Sequence, residues 1–296
     1  MAGSLALSRG VVFVGTETRT ARVRSFDLDG RPLEASFSFS GADGGAASAD
    51  GLAVDEDRRI WVADGIGRRL LAFTLFGDRV AGVDPPEGPE RDRRGVLGRV
   101  TAVASRGADD EQELLVACGG RRRHGVQRLV LGSGATSTLR SGGLLEADFH
   151  DPVGLAWEGR LAWVAERGAG RVQVFRDLDH HFDFRLTPAG GAPFCPNAVR
   201  PLPDGRLVLA QGGEASAVLL LDGSGRLLRV LAEAGAGEGQ VREPSDLVVE
   251  PGADDRQTRV VVLDGEGTRA QVLNLLGDCH GTFPDLVGSG AAWELP

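Results

Sequence analysis

The segment VADGIGRRL, from Val62 to Leu70, places Asp64 five residues before Arg69, with two glycines between them. In a single copy, an aspartate and an arginine beside a turn are ordinary. The same spacing recurs in three further segments, which are VGTETRTARV (Glu17 and Arg22), VAERGAGRV (Glu166 and Arg171) and VLDGEGTRA (Asp264 and Arg269). Each copy follows a short apolar run and precedes another. The pattern indicates a loop between two β-strands that is repeated along the chain.

Two weaker copies of this loop lie between the clear ones. The segment VACGGRRRHGV carries Cys118 at the acid position, and LAQGGEASAV carries Gln211 there, with Ser216 at the arginine position. With these copies included, the loop returns at intervals of roughly 45 to 56 residues. Six units of this length fill the chain.

Each unit contains the signals of four short strands. A short apolar segment such as PVGLAW is followed by a turn and a second strand, and the acid–Arg loop leads to a third strand. A hairpin turn then leads to a weaker fourth strand. The hairpin turns are Asp29-Gly30, Gly77-Asp78, Asp222-Gly223 and Gly277-Asp278.

Four antiparallel strands repeated six times predict an all-β fold, a six-bladed β-propeller of four-stranded antiparallel blades. The pattern shows no domain boundary, so residues 1–296 are expected to form one domain. The predicted blades lie at roughly 1–40, 48–84, 98–140, 150–188, 195–233 and 243–284.

The units resemble NHL repeats. The resemblance rests on three blocks, GLAVD…IWVADGIGRRL (51–70), PVGLAW…AWVAERGAGRVQVF (152–175) and PSDLVV…VVVLDGEGTRAQVL (244–273). It is strong in units two, four and six and weak in units three and five. The resemblance implies the propeller fold, but NHL propellers include RNA binders, protein-interaction modules and a zinc-dependent lyase. It therefore does not imply a single function.

Composition argues against several classes of function. The chain has 296 residues, a net charge of −9 and no lysine or tyrosine. The acidic balance disfavours non-specific coating of nucleic acid, because that binding depends on neutralising phosphates. We find neither a signal peptide nor a long apolar run, so we expect no membrane contact and a cytoplasmic location. In that compartment the three cysteines, Cys118, Cys195 and Cys279, are expected to be reduced.

A charged pair that recurs around a ring is typical of a structural element. We expect the acid–Arg pair to cross its turn or to bridge to the next blade, tying loop to loop. A partly exposed pair of this kind contributes less than ~1 kcal/mol, so several pairs would act together.

The alternation of strand direction places the acid–Arg loops and the segments that enter each first strand on one face. These entering residues should ring the mouth of the central channel, a common place for ligands in propellers. They are Ser4, Asp50, Thr101, His150, Asn197, Ser245 and Asp246.

Two arginine-rich segments meet on this face at unit three. Together with His150 they form a candidate site for an anionic ligand or an acidic protein, because guanidinium groups bind carboxylate and phosphate in bidentate geometry. The arginines are Arg91, Arg93, Arg94, Arg121, Arg122 and Arg123. The alternative is a pair of solvated loops. RNA is the less favoured ligand, because aromatic side chains that could stack on bases are scarce.

A second candidate site is a metal site at the channel mouth. Asp50, Asn197 and Asp246 could supply oxygen ligands to one divalent cation, calcium or zinc. This set loosely resembles gluconolactonase and regucalcin propellers, but the glutamate expected on the first strand is absent and Ser4 stands there. The zinc lyase of the NHL family is disfavoured, because only one of five histidines, His150, lies at the channel mouth and the chain has no tyrosine.

The leading hypothesis is a non-catalytic scaffold that binds a protein or another ligand through its loop face and needs no cofactor. The alternative is a metal-dependent hydrolase or lactonase with a cation at the channel mouth. We further expect the first and last blades to meet by face-to-face packing, without a shared sheet. Residues 288–296 are then left as a tail, with Trp293 packed against the protein.

Overall fold

The structure, a computed structural model, describes residues 3–16, 20–41, 44–83, 98–119, 124–139, 149–265, 268–283 and 286. These residues form six sheets, each built from one continuous stretch of chain, and their strands are antiparallel except for one short strand in the fifth sheet. The first strand of each sheet lines a central channel. The prediction of an all-β, six-bladed propeller is confirmed.

The strands of each blade run from the channel outwards in chain order. Blades 1 to 3 contain β1 (Ser4–Ser8), β2 (Val11–Thr16), β3 (Ala21–Asp27), β4 (Phe37–Phe39), β5 (Gly51–Val54), β6 (Ile60–Asp64), β7 (Arg69–Phe73), β8 (Arg79–Val83), β9 (Arg99–Arg106), β10 (Glu113–Gly119), β11 (Gly125–Val130) and β12 (Ala135–Thr138). Blades 4 to 6 contain β13 (Pro152–Glu158), β14 (Leu161–Glu166), β15 (Arg171–Arg176), β16 (Asp179–Phe184), β17 (Pro196–Pro201), β18 (Leu207–Gln211), β19 (Ala217–Leu221), β20 (Leu227–Ala234), β21 (Gln240–Val241), β22 (Asp246–Glu250), β23 (Arg259–Asp264), β24 (Arg269–Leu273) and β25 (Cys279–Phe283).

The named helical segments among the described residues are three short 3-10 turns, and Gly44 lies in a further 3-10 turn. The three named segments lie at Asp109–Glu111, Ala189–Gly191 and Gly213–Ala215. Within this described part of the chain, no helix has the length and apolar character needed to cross a membrane.

Blade 5 departs from the four-stranded pattern. A fifth strand, β21, runs parallel to the end of β20, where Glu233 pairs with Gln240 and Ala234 with Val241. The predicted range of 195–233 ends before this strand. Glycine-rich sequence (AGAGEG, 234–239) lets the chain double back after β20, which the period of the repeat does not predict.

The hydrophobic core is divided among the six seams between neighbouring blades. Each cluster of buried apolar side chains joins the facing surfaces of two adjacent sheets. Trp61 lies in the seam of blades 2 and 3, and Trp163 lies in the seam of blades 4 and 5. A four-stranded sheet is apolar on both faces here because each face is covered by a neighbour.

The first and last blades also meet through a seam of packed apolar side chains. In the described residues, β1–β4 and β22–β25 form separate sheets. Their seam contains stacked Phe26 and Phe283 rings, with centroids 5.8 Å apart. In the described residues the two blades meet face to face, whereas Trp293 and the tail at 288–296 lie outside the described residues, so closure without a shared sheet and the packing of the tail stay predictions.

The outer hairpin turns also contact the preceding blade. Gly77 has a φ of 96°, and a Cβ there would lie 2.4 Å from the Phe37 side chain in β4 of blade 1. Gly225 has a φ of 88° and would clash in the same way with Phe184 in β16 of blade 4. The left-handed residue of this turn is thus Gly225, two residues after the Gly223 that the sequence pattern suggested.

Candidate functional site

The acid–Arg pair lies at the junction of the second and third strands of a blade. Asp64 pairs across the hairpin with Arg69, Glu166 with Arg171, and Asp264 with Arg269. Carboxylate oxygens accept hydrogen bonds from the arginine Nε atoms at 2.9, 2.7 and 2.8 Å. All three acids have 0% exposure. The prediction that these pairs are partly exposed was wrong for the acids and for Arg69 and Arg171, because the connection between blades covers them; Arg269 is partly exposed.

The same carboxylates also hold the chain as it enters the blade. Oδ1 of Asp64 accepts the Ser48 backbone N–H at 2.9 Å, and Oε2 of Glu166 accepts the His150 N–H at 2.8 Å. On the other side of the pair, the Arg69 guanidinium donates to the Ser40 carbonyl at the end of blade 1. The pair in blade 2 therefore joins its own loop, the entering segment and the connection from the preceding blade, as a structural role requires.

Two blades achieve the same contact without an acid. In blade 5, Oε1 of Gln211 accepts the Cys195 N–H at 3.2 Å. In blade 3, the Cys118 thiol occupies the position, and burial raises its pKa to about 11 against the opposing effect of the Gly98 backbone N–H. Both substitutes are neutral acceptors and need no cation beside them. Accordingly, neither blade has an arginine at the facing position.

The described residues of blade 1 contain no buried acid–Arg pair. The residue that faces Arg22 across the hairpin is Thr16, and the Arg22 side chain is exposed. Glu17, the predicted acid, lies outside the described residues. The loop is one residue longer than in blades 2, 4 and 6, so equal spacing in the sequence does not give equal register.

Residues at the channel mouth form a belt of hydrogen bonds between neighbouring blades. Oγ of Ser4 in blade 1 donates to the Ala49 carbonyl at the entrance of blade 2, at 2.8 Å. Oγ1 of Thr101 in blade 3 donates to the Pro152 carbonyl of blade 4 at 2.7 Å. These side chains supply hydrogen-bond donors to backbone carbonyls of the next blade, so they stabilise the ring.

Asn197 and Asp246, two of the predicted metal ligands, belong to this belt. Nδ2 of Asn197 donates to the Pro244 carbonyl at 2.8 Å. Asp246 accepts the Leu5 backbone N–H at 2.8 Å and the Arg200 guanidinium at 3.0 Å, which links blades 5, 6 and 1. Burial raises the pKa of Asp246, and the charge of Arg200 opposes that shift.

The third predicted ligand, Asp50, lies at the entrance of blade 2. Its Oδ2 accepts the Ser48 hydroxyl at 3.1 Å and lies 3.8 Å from the Arg99 guanidinium. Among the described residues, no three His, Cys, Asp or Glu side chains are grouped as a metal would require. The divalent cation stays a prediction, and the carboxylates proposed for it are engaged by neighbouring arginines.

All six arginines of the predicted anion site lie outside the described residues, but the residues beside them are described. Arg99 is exposed at the entrance of blade 3 and Arg167 at the loop of blade 4. The rings of His124 and His150 stack with centroids 6.3 Å apart. Together Arg99, His124, His150 and Arg167 form what we call the basic rim.

Local contacts fix the geometry of the basic rim. Nδ1 of His124 accepts the Asp151 backbone N–H at 2.9 Å. The Asp151 carboxylate binds the Arg167 guanidinium at 2.8 and 3.0 Å. Arg167 was not among the predicted site residues, although its position directly after the acid of a repeated loop was a usable signal.

Inside the channel, a cavity of about 400 Å³ opens towards the face opposite the acid–Arg loops. Its wall is formed by the first strands of all six blades. Charged side chains on this wall are Glu158, Arg200 and Glu250. Arg200 also donates to the Leu155 carbonyl at 3.0 Å, so its guanidinium is fixed on two sides.

Fold and channel together define the class of the protein, a six-bladed β-propeller. No protein-family model matches the chain, and no curated protein matches it. Similarity is found with solved structures, at sequence identities that establish the fold alone.

Three of these structures show that the similar proteins are of different kinds. A protein of unknown function from Bacteroides caccae is 12% identical over 94% of each chain, with a TM-score of 0.63. A chain of a nidogen/laminin complex is 14% identical over 93% of this chain and 94% of that one, with a TM-score of 0.61. A catalytically inactive virginiamycin B lyase from Staphylococcus aureus, solved with quinupristin, is 15% identical over 80% of this chain and 70% of that one, with a TM-score of 0.53.

Proposed function

We propose that the protein is an NHL-type propeller that acts as a non-catalytic binding scaffold. Its acid–Arg loop face takes an acidic protein partner, which contacts the basic rim and the neighbouring arginines at 91–94 and 121–123. In this proposal the ring is a rigid support, and the loops of blades 3 and 4 provide the contact.

The observation that carries the proposal is the belt of hydrogen bonds at the channel mouth. Ser4, Thr101 and Asn197 each donate to a carbonyl of the next blade, and Asp246 binds both neighbours of its own blade. Polar groups used in this way hold the ring together. The belt residues are therefore engaged within the ring, and a partner would contact the exposed side chains of this face, including those of the basic rim.

Charge supports an acidic partner. Arg99 and Arg167 are exposed but lie beside Asp50 and Asp151, so the excess of positive charge proposed here rests on Arg121, Arg122 and Arg123, in a protein whose net charge is −9. A local positive patch on an acidic protein orients an acidic partner and repels it from other surfaces. The structural neighbours include a complex of two proteins and a lyase, so the fold accommodates this proposal and its alternative.

Affinity capture from the source cells tests the proposal. The wild type is compared at physiological salt with a variant in which Arg121, Arg122 and Arg123 are changed to Ala, and with Arg99→Ala/Arg167→Ala. We expect both variants to recover less of the partner than the wild type. Arg256→Ala, an exposed arginine beside β23 on the opposite face, is the matched control. Equal recovery by all four proteins would overturn the proposal.

A second candidate function, a metal-dependent hydrolase, is favoured by one observation. Oδ1 of Asn197 is buried and has no hydrogen-bond partner among the described residues. An unsatisfied buried oxygen is costly, and a cation would satisfy it. Calorimetric titration of the metal-free protein with calcium and then zinc tests this candidate. Binding of either ion that is abolished by Asn197→Ala would support it, and the absence of a heat signal with both ions would rule it out.

A further inference from the structure

The outermost strand of blade 5 differs from those of the other blades. β20 spans eight residues, whereas β4, β8, β12, β16 and β25 span three to six. Three of its side chains, Leu227, Leu228 and Val230, are 46%, 49% and 40% exposed. Outer strands that face water usually carry charged or polar residues, because an apolar edge promotes pairing with other chains.

The backbone edge of β20 is only partly covered. β21 pairs with residues Glu233 and Ala234, so the edge at 227–231 has no strand beside it among the described residues. The contact with β21 shows that this edge can accept a further strand. A second segment placed in line with β21 would complete the fifth strand of the blade.

Two arginines lie on the open part of the edge. Arg226 and Arg229 are exposed, and the segment RLLRVLA (226–232) contains no acid. Nearby carboxylates are already engaged, since Asp222 accepts backbone N–H groups of its turn and Asp255 binds Arg206 at 3.0 and 2.6 Å. The open edge is therefore apolar and positively charged.

The register of β20 shows on which side of the sheet the apolar and the charged side chains lie. Val230 pairs with Leu219, which packs towards blade 4, and Arg229 pairs with Leu220, which packs towards blade 6. The register shifts on either side of this pair, so the regular alternation is confined to Arg229 and Val230. A strand added at the edge would place its own side chains alternately on the same two sides. Beside Val230 it needs an apolar residue, and beside Arg229 it needs an acid.

We infer that the open edge of β20 binds an extended segment of a partner protein in which apolar and acidic residues alternate. Binding occurs by strand addition, with main-chain hydrogen bonds for affinity and the side-chain alternation for specificity. This surface is separate from the basic rim. A second copy of the chain fits less well, because a two-fold antiparallel pairing over 227–231 places Arg229 opposite itself.

Selection from a phage-displayed library of random twelve-residue peptides on the immobilised protein tests the inference. We expect the enriched peptides to alternate Asp or Glu with apolar residues, and to slow amide hydrogen exchange in residues 227–231. Arg229→Glu should weaken their binding at least tenfold. Arg79→Glu, at the corresponding strand β8 of blade 2, should leave it unchanged.

A second variant guards against a folding effect, because Arg229 also donates to the Leu275 carbonyl at 3.4 Å. Arg226→Glu should likewise weaken the selected peptides, with an unchanged melting temperature. The inference is overturned if no peptide is enriched, if the enriched peptides have no acidic bias, or if their protection from exchange lies away from β20.

Discussion

Blades 4 and 5 hold the chain that enters the blade in different ways, blade 4 with an ion pair and blade 5 with a neutral side chain. In blade 4 the chain entering the blade is held by Glu166, whose charge is balanced by Arg171. In blade 5 it is held by Gln211, and the residue facing Gln211 across the hairpin is Ala217. What the two blades share is a hydrogen-bond acceptor at the end of the second strand; the ion pair is an addition.

The difference shows which part of the repeated loop the fold needs. A buried backbone N–H requires an acceptor, because leaving it unsatisfied costs about 1–3 kcal/mol. A carboxylate meets that need but adds a buried charge, which in turn requires a cation. The arginine balances the charge of the acid, and in blades 2 and 6 it also donates to carbonyls of the connection from the preceding blade.

The largest effect is expected from removing the acid alone in blade 4. Glu166→Gln keeps an acceptor for the His150 N–H but leaves the Arg171 guanidinium, 7% exposed, without its charge partner. We expect the free energy of unfolding to fall by about 3 kcal/mol, as measured by denaturant titration. Asp177→Asn, which breaks an exposed ion pair with Arg160 in the same blade, is the control and should leave unfolding unchanged.

A smaller loss is expected from adding an acid in blade 5. Gln211→Glu buries a carboxylate that has no arginine opposite, which should cost about 2 kcal/mol at pH 7. Burial raises the pKa of such a group in the folded state above its unfolded value. The penalty should therefore be absent below about pH 4 and grow as the pH rises. Equal stability of variant and wild type from pH 4 to 8 would show that the position is solvated.

Removing the neutral acceptor should have a still smaller effect. Gln211→Ala leaves the Cys195 N–H without its side-chain acceptor and is expected to destabilise the protein by about 1 kcal/mol in denaturant titration. Ser224→Ala, which removes an exposed hydroxyl from a turn of the same blade, is the control and should leave unfolding unchanged. A loss as large as that of Glu166→Gln would mean that charge is irrelevant to the difference between the blades.

The smallest effect is expected at Cys118, the acceptor of blade 3. With a pKa of about 11, this buried thiol is almost fully protonated at pH 8. A thiol reagent applied to the folded protein should label Cys195 and Cys279, which are partly exposed, and leave Cys118 unmodified until the protein unfolds. Mass spectrometry of the labelled peptides measures this. Labelling of Cys118 at the same rate would contradict its burial.

The fold could be predicted from the sequence because its signals are local and repeated. The spacing of Asp64 and Arg69, and its return at Glu166 and Asp264, is set by hairpin geometry that each blade needs separately. Face-to-face packing of the first and last blades followed from two complete terminal units. These inferences require no knowledge of which residues meet across the ring.

The predicted site was less accessible to sequence reasoning. Whether Asp64 is exposed depends on the connection that covers it, and whether Asp246 is available depends on Arg200 and Leu5, which are 46 and 241 residues away. Such contacts are set by packing between blades and leave no local pattern. β21 escaped prediction for the same reason, since a two-residue strand has no period.

Converting blade 4 to the chemistry of blade 5 shows whether a blade needs the ion pair or only the hydrogen-bond acceptor. The double variant Glu166→Gln/Arg171→Ala replaces the ion pair by the Gln and Ala found at 211 and 217. If the acceptor is what the blade needs, the double variant should regain most of the free energy of unfolding that Glu166→Gln loses. A double variant less stable than Glu166→Gln would contradict the account, because the arginine would then stabilise the blade without its acid.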